Sequence, residues 1–188
     1  MFQVFIDGSA GTTGLRIREM LEKRQDVSLI TLPESLRKDV SARKDALNSA
    51  DVAFLCLPDD AAREAAALVE NKDTVVIDAS TAHRTHPEWA YGFPELSAQH
   101  RARIRSGKRI ANPGCYASGF IALVYPLISA GVVAPDYPFV CHAVSGYSGA
   151  GKKGIAEYEA ADRPAGYDTP RLYALSLMHK HLPEMKEV

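Results

Sequence analysis

The sequence has almost no surplus of charge of either sign: 22 Lys and Arg stand against 23 Asp and Glu, a formal net charge of −1. A polyphosphate backbone calls for a basic excess, and here no Lys/Arg cluster is interleaved with aromatic residues, so nucleic acid is not expected as a partner. Cysteine is also scarce. Cys56, Cys115 and Cys141 are odd in number and widely separated, which excludes a disulfide framework, offers no metal-ligand spacing and fits a reducing cytoplasm. No basic leader precedes the apolar stretch Phe2 to Ile6, so no export signal is read. The one long uncharged run, Ile110 to Pro135, is broken by Asn112, Pro113, Gly114, Pro126 and Gly131. It reads as a loop entering a buried helix, and a membrane span is not expected.

What is present suits a globular α/β protein, with 46% hydrophobic residues in 188. Apolar runs at Phe2 to Ile6, Val27 to Leu32, Val52 to Leu57 and Thr74 to Ile77 read as strands. Leu15 to Lys23 and Ala61 to Val69 between them carry apolar residues at helical spacing. This alternation predicts a doubly wound, Rossmann-like parallel sheet over residues 1–114. Residues 115–188 read as the beginning of a second, α+β domain. There Phe139 to Ser145 is expected as a strand, Gly146 to Gly151 as a small-residue loop, and Phe120 to Ile128 as part of a helix. Cys56 and Cys141, both inside apolar runs, read as small buried hydrophobes.

Four segments carry chemistry. Gly8, Gly11 and Gly14 follow the first strand and open a helix, the setting in which backbone N–H groups of Gly8, Ser9, Ala10, Gly11, Thr12, Thr13 and Gly14 can meet a pyrophosphate. The spacing Gly-x-x-Gly-x-x-Gly departs from the Gly-x-Gly-x-x-Gly fingerprint. Past the second strand, Ser35, Arg37 and Lys38 outweigh the single carboxylate of Glu34, which favours the added ribose phosphate of NADP(H) over NAD. Cys115 falls at the start of the helix, where the dipole stabilises a thiolate and free N–H groups can hold an oxyanion. Finally, His179 and His181 would face the same way in an extended segment, bringing two imidazoles and Glu184 toward one place as proton donor and acceptor.

Gly8 to Gly14, Ala79-Ser80-Thr81-Ala82-His83-Arg84, Tyr91-Gly92-Phe93-Pro94-Glu95-Leu96, Asn112 to Ser118, Ser145 to Gly151 and His179 to Glu184 together resemble the shorter type of N-acetyl-gamma-glutamyl-phosphate reductase. The resemblance implies NADPH-dependent reduction of an acyl phosphate, N-acetylglutamyl 5-phosphate, to the semialdehyde with release of phosphate, a step of arginine biosynthesis. It implies Cys115 as the nucleophile, His179 or His181 as the acid/base residue, and Glu184 as the orienting group. It also implies Ser80, Thr81, Ser148 and Gly149 near the cofactor, Arg84, Asn112 and Ser145 near the substrate, and residues 115–188 as the beginning of a substrate and dimerisation domain through which a homo-oligomer is built. The histidine pair has too few ligands beside it for a metal site, so no metal is expected. Members of the family continue past the His-x-His segment, so the chain is expected to be truncated at its C-terminus. An aspartate-semialdehyde dehydrogenase-like enzyme, a catalytically silent NADP-binding fragment and a cofactor-independent cysteine acyltransferase or hydrolase stay open as readings of the same residues.

Overall fold

The computed structural model describes residues 1–9 and 11–188; Ala10, one of the glycine-turn residues expected at the cofactor, lies outside the described residues. The first strand, β1 (Phe2–Asp7), is followed by helix α1 (Thr12–Leu21), β2 (Val27–Ile30), α2 (Val40–Ser49), β3 (Val52–Leu55), α3 (Asp59–Ala67) and β4 (Val75–Asp78). A loop then leads to β5 (Ala90–Tyr91), α4 (Ala98–Ser106) and β6 (Arg109–Ala111). All six strands pair in parallel in the order β2-β1-β3-β4-β6-β5. The expected doubly wound sheet is therefore present.

The chain leaves β1 toward β2, then doubles back across β1 to β3. Right-handed crossovers in opposite directions put α1 on one face of the sheet and α2 and α3 on the other. In agreement, Leu47 and Ala50 around α2 share one buried cluster with Ala65 and Val69 around α3 and with Phe5, Leu55 and Val76 of the strands. The reversal leaves a crevice beyond the carboxyl ends of β1 and β3, the position where ligands bind in open sheets of this kind. Asp7 and Cys56 line up there, with the Cys56 N–H donating to the Asp7 carbonyl at 2.8 Å.

Past Ala111 the structure is helical or irregular: α5 (Cys115–Ser129), α6 (Gly151–Glu159) and α7 (Leu182–Glu187), with short 3-10 turns at Tyr147–Ala150 and Ala165–Asp168. The strand expected from Phe139 to Ser145 does not form. A strand needs a neighbour for its N–H and C=O groups, and no other strand follows Ala111 among the described residues. Val140 and Val144 are 95% and 94% exposed, and Cys141, expected to be buried, is exposed with them. The loop expected from Gly146 to Gly151 instead holds a 3-10 turn and the first residue of α6. Among the described residues no helix is long and apolar enough to cross a membrane.

Candidate active site

The glycine turn is shaped by two close approaches. Gly8 has φ of +85°, and a Cβ there would overlap the Cys56 carbonyl oxygen; a side chain would be both strained and blocked. A Cβ on Gly14 would sit 2.5 Å from the Gly8 carbonyl oxygen, so α1 packs directly on the turn. Gly11 caps α1 without a side-chain hydrogen bond, and the first helical bond runs from the Leu15 N–H to the Gly11 carbonyl at 2.9 Å. The N–H groups of Thr12, Thr13 and Gly14 are therefore left without helical partners, a ready anion site.

Beside this turn opens a cavity of about 520 Å³ whose walls include Gly8, Ser9, Ser35, Arg37, Lys38 and Arg43. The residues read as cofactor-selecting thus stand around the same cavity as the glycine turn. Sequence reasoning missed Arg43, which comes from α2 and holds the Asp7 carboxylate with Nη2 at 2.8 Å and Nε at 3.1 Å. Its side chain is 12% exposed and that of Asp7 5%. The pairing cancels a carboxylate that would otherwise face an incoming phosphate.

The segment after β4 is tied down by carboxylates. Asp78 accepts from the Ser80 hydroxyl at 2.7 Å and lies 2.6 Å from His83 Nδ1, and the His83 ring stacks on Trp89 at 4.0 Å. The Thr81 hydroxyl donates to Asp59 at the start of α3. Ser80 and Thr81, expected at the cofactor, thus spend their hydroxyl protons on the protein itself. Ser148 and Gly149 are exposed on the 3-10 turn before α6, which lies next to the glycine turn: a Cβ on Gly151 would be 3.9 Å from Thr12 Oγ1. Ser145 is exposed, its hydroxyl donating to the Gly146 carbonyl at 3.3 Å.

Cys115 is the first residue of α5, capped by Gly114, and it is exposed. The Gly114 N–H is bound by Glu184 Oε1 at 2.7 Å. This leaves the N–H groups of Cys115, Tyr116 and Ala117 as the unbonded donors of the first turn. His179 and His181 are not extended. His181 is helical in backbone, with φ of −87° and ψ of −9°, and forms the cap of α7, yet the two rings still meet edge to face at 4.6 Å between centroids. His181 packs on the Cys115 turn so closely that a Cβ on Gly114 would be 2.5 Å from its Nε2. Burial and, next, the Arg84 cation push the His181 imidazole down to about 4, although Glu184 pulls the other way. Its Nδ1 is buried without a partner. His179 is half-buried, with Nε2 3.2 Å from the Tyr173 hydroxyl and Nδ1 accepting from the His181 backbone N–H at 3.2 Å.

Arg84, expected to meet a substrate phosphate or carboxylate, turns inward instead. It donates to Glu184 at 3.1 Å, to the Asn112 carbonyl at 2.9 Å and to the Ala79 carbonyl at 3.1 Å, and its side chain is 8% exposed. The Asn112 side chain is exposed and donates to the Pro113 carbonyl at 3.3 Å. Glu184 also accepts from the buried Tyr91 hydroxyl at 2.8 Å, a partner that sequence reasoning did not single out. Its sequence sign is the Tyr91-Gly92-Phe93-Pro94-Glu95-Leu96 segment, whose tyrosine a short strand delivers to the rim of the sheet. Among the described residues no group of three His, Cys, Asp or Glu could hold a metal ion.

Residues 3–104 match the family described as semialdehyde dehydrogenase, NAD binding domain, and residues 115–188 match semialdehyde dehydrogenase, dimerisation domain. The chain is 53% identical over 186 residues to N-acetyl-gamma-glutamyl-phosphate reductase 2 of Pseudomonas putida, covering 98% of this chain and 58% of the relative. It is 52% identical over 184 residues to N-acetyl-gamma-glutamyl-phosphate reductase of Burkholderia orbicola, covering 98% and 59%. The chain therefore spans under three fifths of the length of these curated relatives. In fold it is similar to aspartate semialdehyde dehydrogenase II from Vibrio cholerae, with a TM-score of 0.61 at 21% identity over 84% of this chain and 50% of that one. The parallel sheet, its nucleotide crevice and these matches agree, and the chain belongs to the semialdehyde dehydrogenase family.

Proposed function

We propose that this chain carries the nucleotide crevice and the thioester-forming turn of an NADPH-dependent N-acetyl-gamma-glutamyl-phosphate reductase acting in the cytoplasm in arginine biosynthesis. The division falls at residue 114: residues 1–114 hold the dinucleotide and residues 115–188 begin the catalytic and substrate unit. The observation that carries the reading is the seating of exposed Cys115 at the start of α5 with the His181 ring packed against the preceding Gly114.

The chemistry suits that arrangement. The Cys115 thiolate attacks the acyl carbon, the C–O bond to phosphate breaks, and phosphate leaves with the bonding pair, giving a thioester. First-turn N–H groups at Cys115, Tyr116 and Ala117 are placed to take the developing oxyanion. When bound, NADPH supplies the hydride that reduces the thioester carbon to a thiohemiacetal. His181, uncharged near neutral pH, serves as the acid/base residue in preference to His179, whose ring nitrogens meet the Tyr173 hydroxyl and the His181 amide: it exchanges the proton on the hemiacetal oxygen as the C–S bond breaks and the aldehyde forms. Glu184 orients the turn, and Ser148, Gly149 and Ser145 approach from the α6 side.

The choice of NADP(H) over NAD(H) rests on Ser35, Arg37 and Lys38 around the cavity beside Gly8, where two cations and a hydroxyl face one carboxylate, Glu34. A homo-oligomer assembled through the second unit would cover the apolar side chains exposed between Val132 and Met178.

The direct test runs the reaction in reverse. Phosphate-dependent NADP reduction with N-acetylglutamate semialdehyde is expected, lost in Cys115→Ser, with weaker turnover of aspartate semialdehyde. A protein that is stabilised by NADPH but turns over neither aldehyde overturns the reductase reading in favour of a nucleotide-binding fragment.

A further inference from the structure

The buried niche beneath Cys115 joins residues far apart in the chain. Glu184 is 1% exposed; its Oε1 accepts from the Gly114 N–H at 2.7 Å and from the Tyr91 hydroxyl at 2.8 Å, and its Oε2 from Arg84 Nη1 at 3.1 Å. A Cβ on Gly114 would lie 2.5 Å from both Arg84 Nη1 and His181 Nε2. Guanidinium, imidazole and the residue before the nucleophile therefore fill one volume. Taking an ion pair out of water is costly before the two charges attract, and apolar packing would hold a helix start at least as well. What the pair adds is a charge fixed in place.

Resting on the thioester reading above, the geometry points to Arg84, Tyr91 and Glu184 as positioning residues. Tyr91 and the Gly114 amide hold the carboxylate, the carboxylate holds Arg84, and the Arg84 cation faces His181 beside the turn that presents Cys115. The groups facing His181 are Arg84 from the loop after β4, Glu184 from α7, His179 and Lys180 from the turn before it, and Tyr116 of α5, whose ring lies 5.8 Å away. Of these, Arg84 is the cation with the largest effect, and it opposes protonation while Glu184 favours it. The arrangement keeps a proton acceptor ready. As the C–S bond of the thiohemiacetal breaks and the carbonyl forms, the hydroxyl proton passes to the neutral imidazole and the pair from the C–S bond leaves with sulfur. An imidazole already carrying a proton could not accept it.

The test is an NMR titration of the histidine rings in the full chain, without nucleotide or substrate, for the wild type, Arg84→Gln, Arg84→Lys and Glu184→Gln, each shown to be folded by thermal melting. The wild-type His181 midpoint is expected near the value of about 4 set by its surroundings. Arg84→Gln moves it upward, because the cation that opposes protonation is gone while Glu184 still favours it; burial, the larger cause, keeps it below the ordinary imidazole range. Arg84→Lys keeps the charge and stays low, and Glu184→Gln stays low because Arg84 is left unopposed. A midpoint unmoved in Arg84→Gln overturns the inference, and so does an equal rise in all three variants, since that reports loosened packing alone. If Arg84→Gln does not fold, Arg84→Met takes its place: a midpoint above the wild type supports the assignment and an unmoved one sinks it. No turnover is read, so failure of the reductase assay and failure of this assignment are separate results.

Discussion

Two apolar stretches of this chain meet opposite fates. Val52–Leu55 pairs on both sides, with β1 and with β4, and its Ala53 and Leu55 are fully buried. Phe139 to Ser145 is comparably apolar, yet Val140 and Val144 stand almost fully exposed. The difference is not in the side chains but in what lies beside them. Hydrophobic content gives a stretch the capacity to form a strand; a neighbour with free N–H and C=O groups is what makes it one.

The comparison breaks if truncation costs the same in both places. Leu55→Ala empties a fully buried position and is expected to lower stability by about 3 kcal/mol in urea unfolding, whereas Val144→Ala should change it by no more than about 0.5 kcal/mol. Equal losses would mean that residues 139–145 are packed in solution. A smaller effect tests the contact that links the sheet to the C-terminal helix. Tyr91→Phe removes one of the hydrogen bonds of buried Glu184 and should cost about 1.5 kcal/mol; no change in the unfolding midpoint would show that Tyr91 leaves Glu184 unaffected. With no effect on stability at all, thiol labelling sharpens the contrast between regions. At pH 8 iodoacetamide should modify exposed Cys115 and Cys141 but spare Cys56, whose thiol is pushed up to about 11 by burial and by nearby Asp78 and Asp7. Since only the thiolate reacts, Cys56 labelling should appear as the pH rises toward that value. Three adducts at pH 8 would contradict the half-buried setting of Cys56.

The first four strands were legible because each is an apolar run bounded by turn residues, and the glycine turn because its position after a strand restricts what it can do. Other elements left weaker traces. Helix α2 buries only Ala46 and Leu47, too few to mark a stripe, and with it went the Arg43 contact to Asp7. Strand β6 is three residues long and begins with a charge, Arg109, so nothing in its composition announces a place between β4 and β5. For the candidate site, Cys115, His181 and Glu184 were readable as residue types in suggestive positions. Their connection was not. An extended segment was expected to aim the histidines together, but a helix cap does so, and Arg84 spends its donors on protein atoms where a substrate contact was expected. Long-range partners such as Tyr91 and Glu184 cannot be paired by periodicity, which reports only local neighbours.

The bond from Gly114 to Glu184 also sets an order of events. The six strands are complete in sequence by Ala111, so the sheet can close early in synthesis. The carboxylate that receives the Gly114 amide is encoded 70 residues later, roughly 4–14 s of elongation at about 5–20 residues per second. During that interval the nascent chain carries its sheet and the crevice beyond β1 and β3 without the carboxylate that holds the start of α5. The crevice side of the sheet can therefore form before the turn at Cys115 is fixed in place.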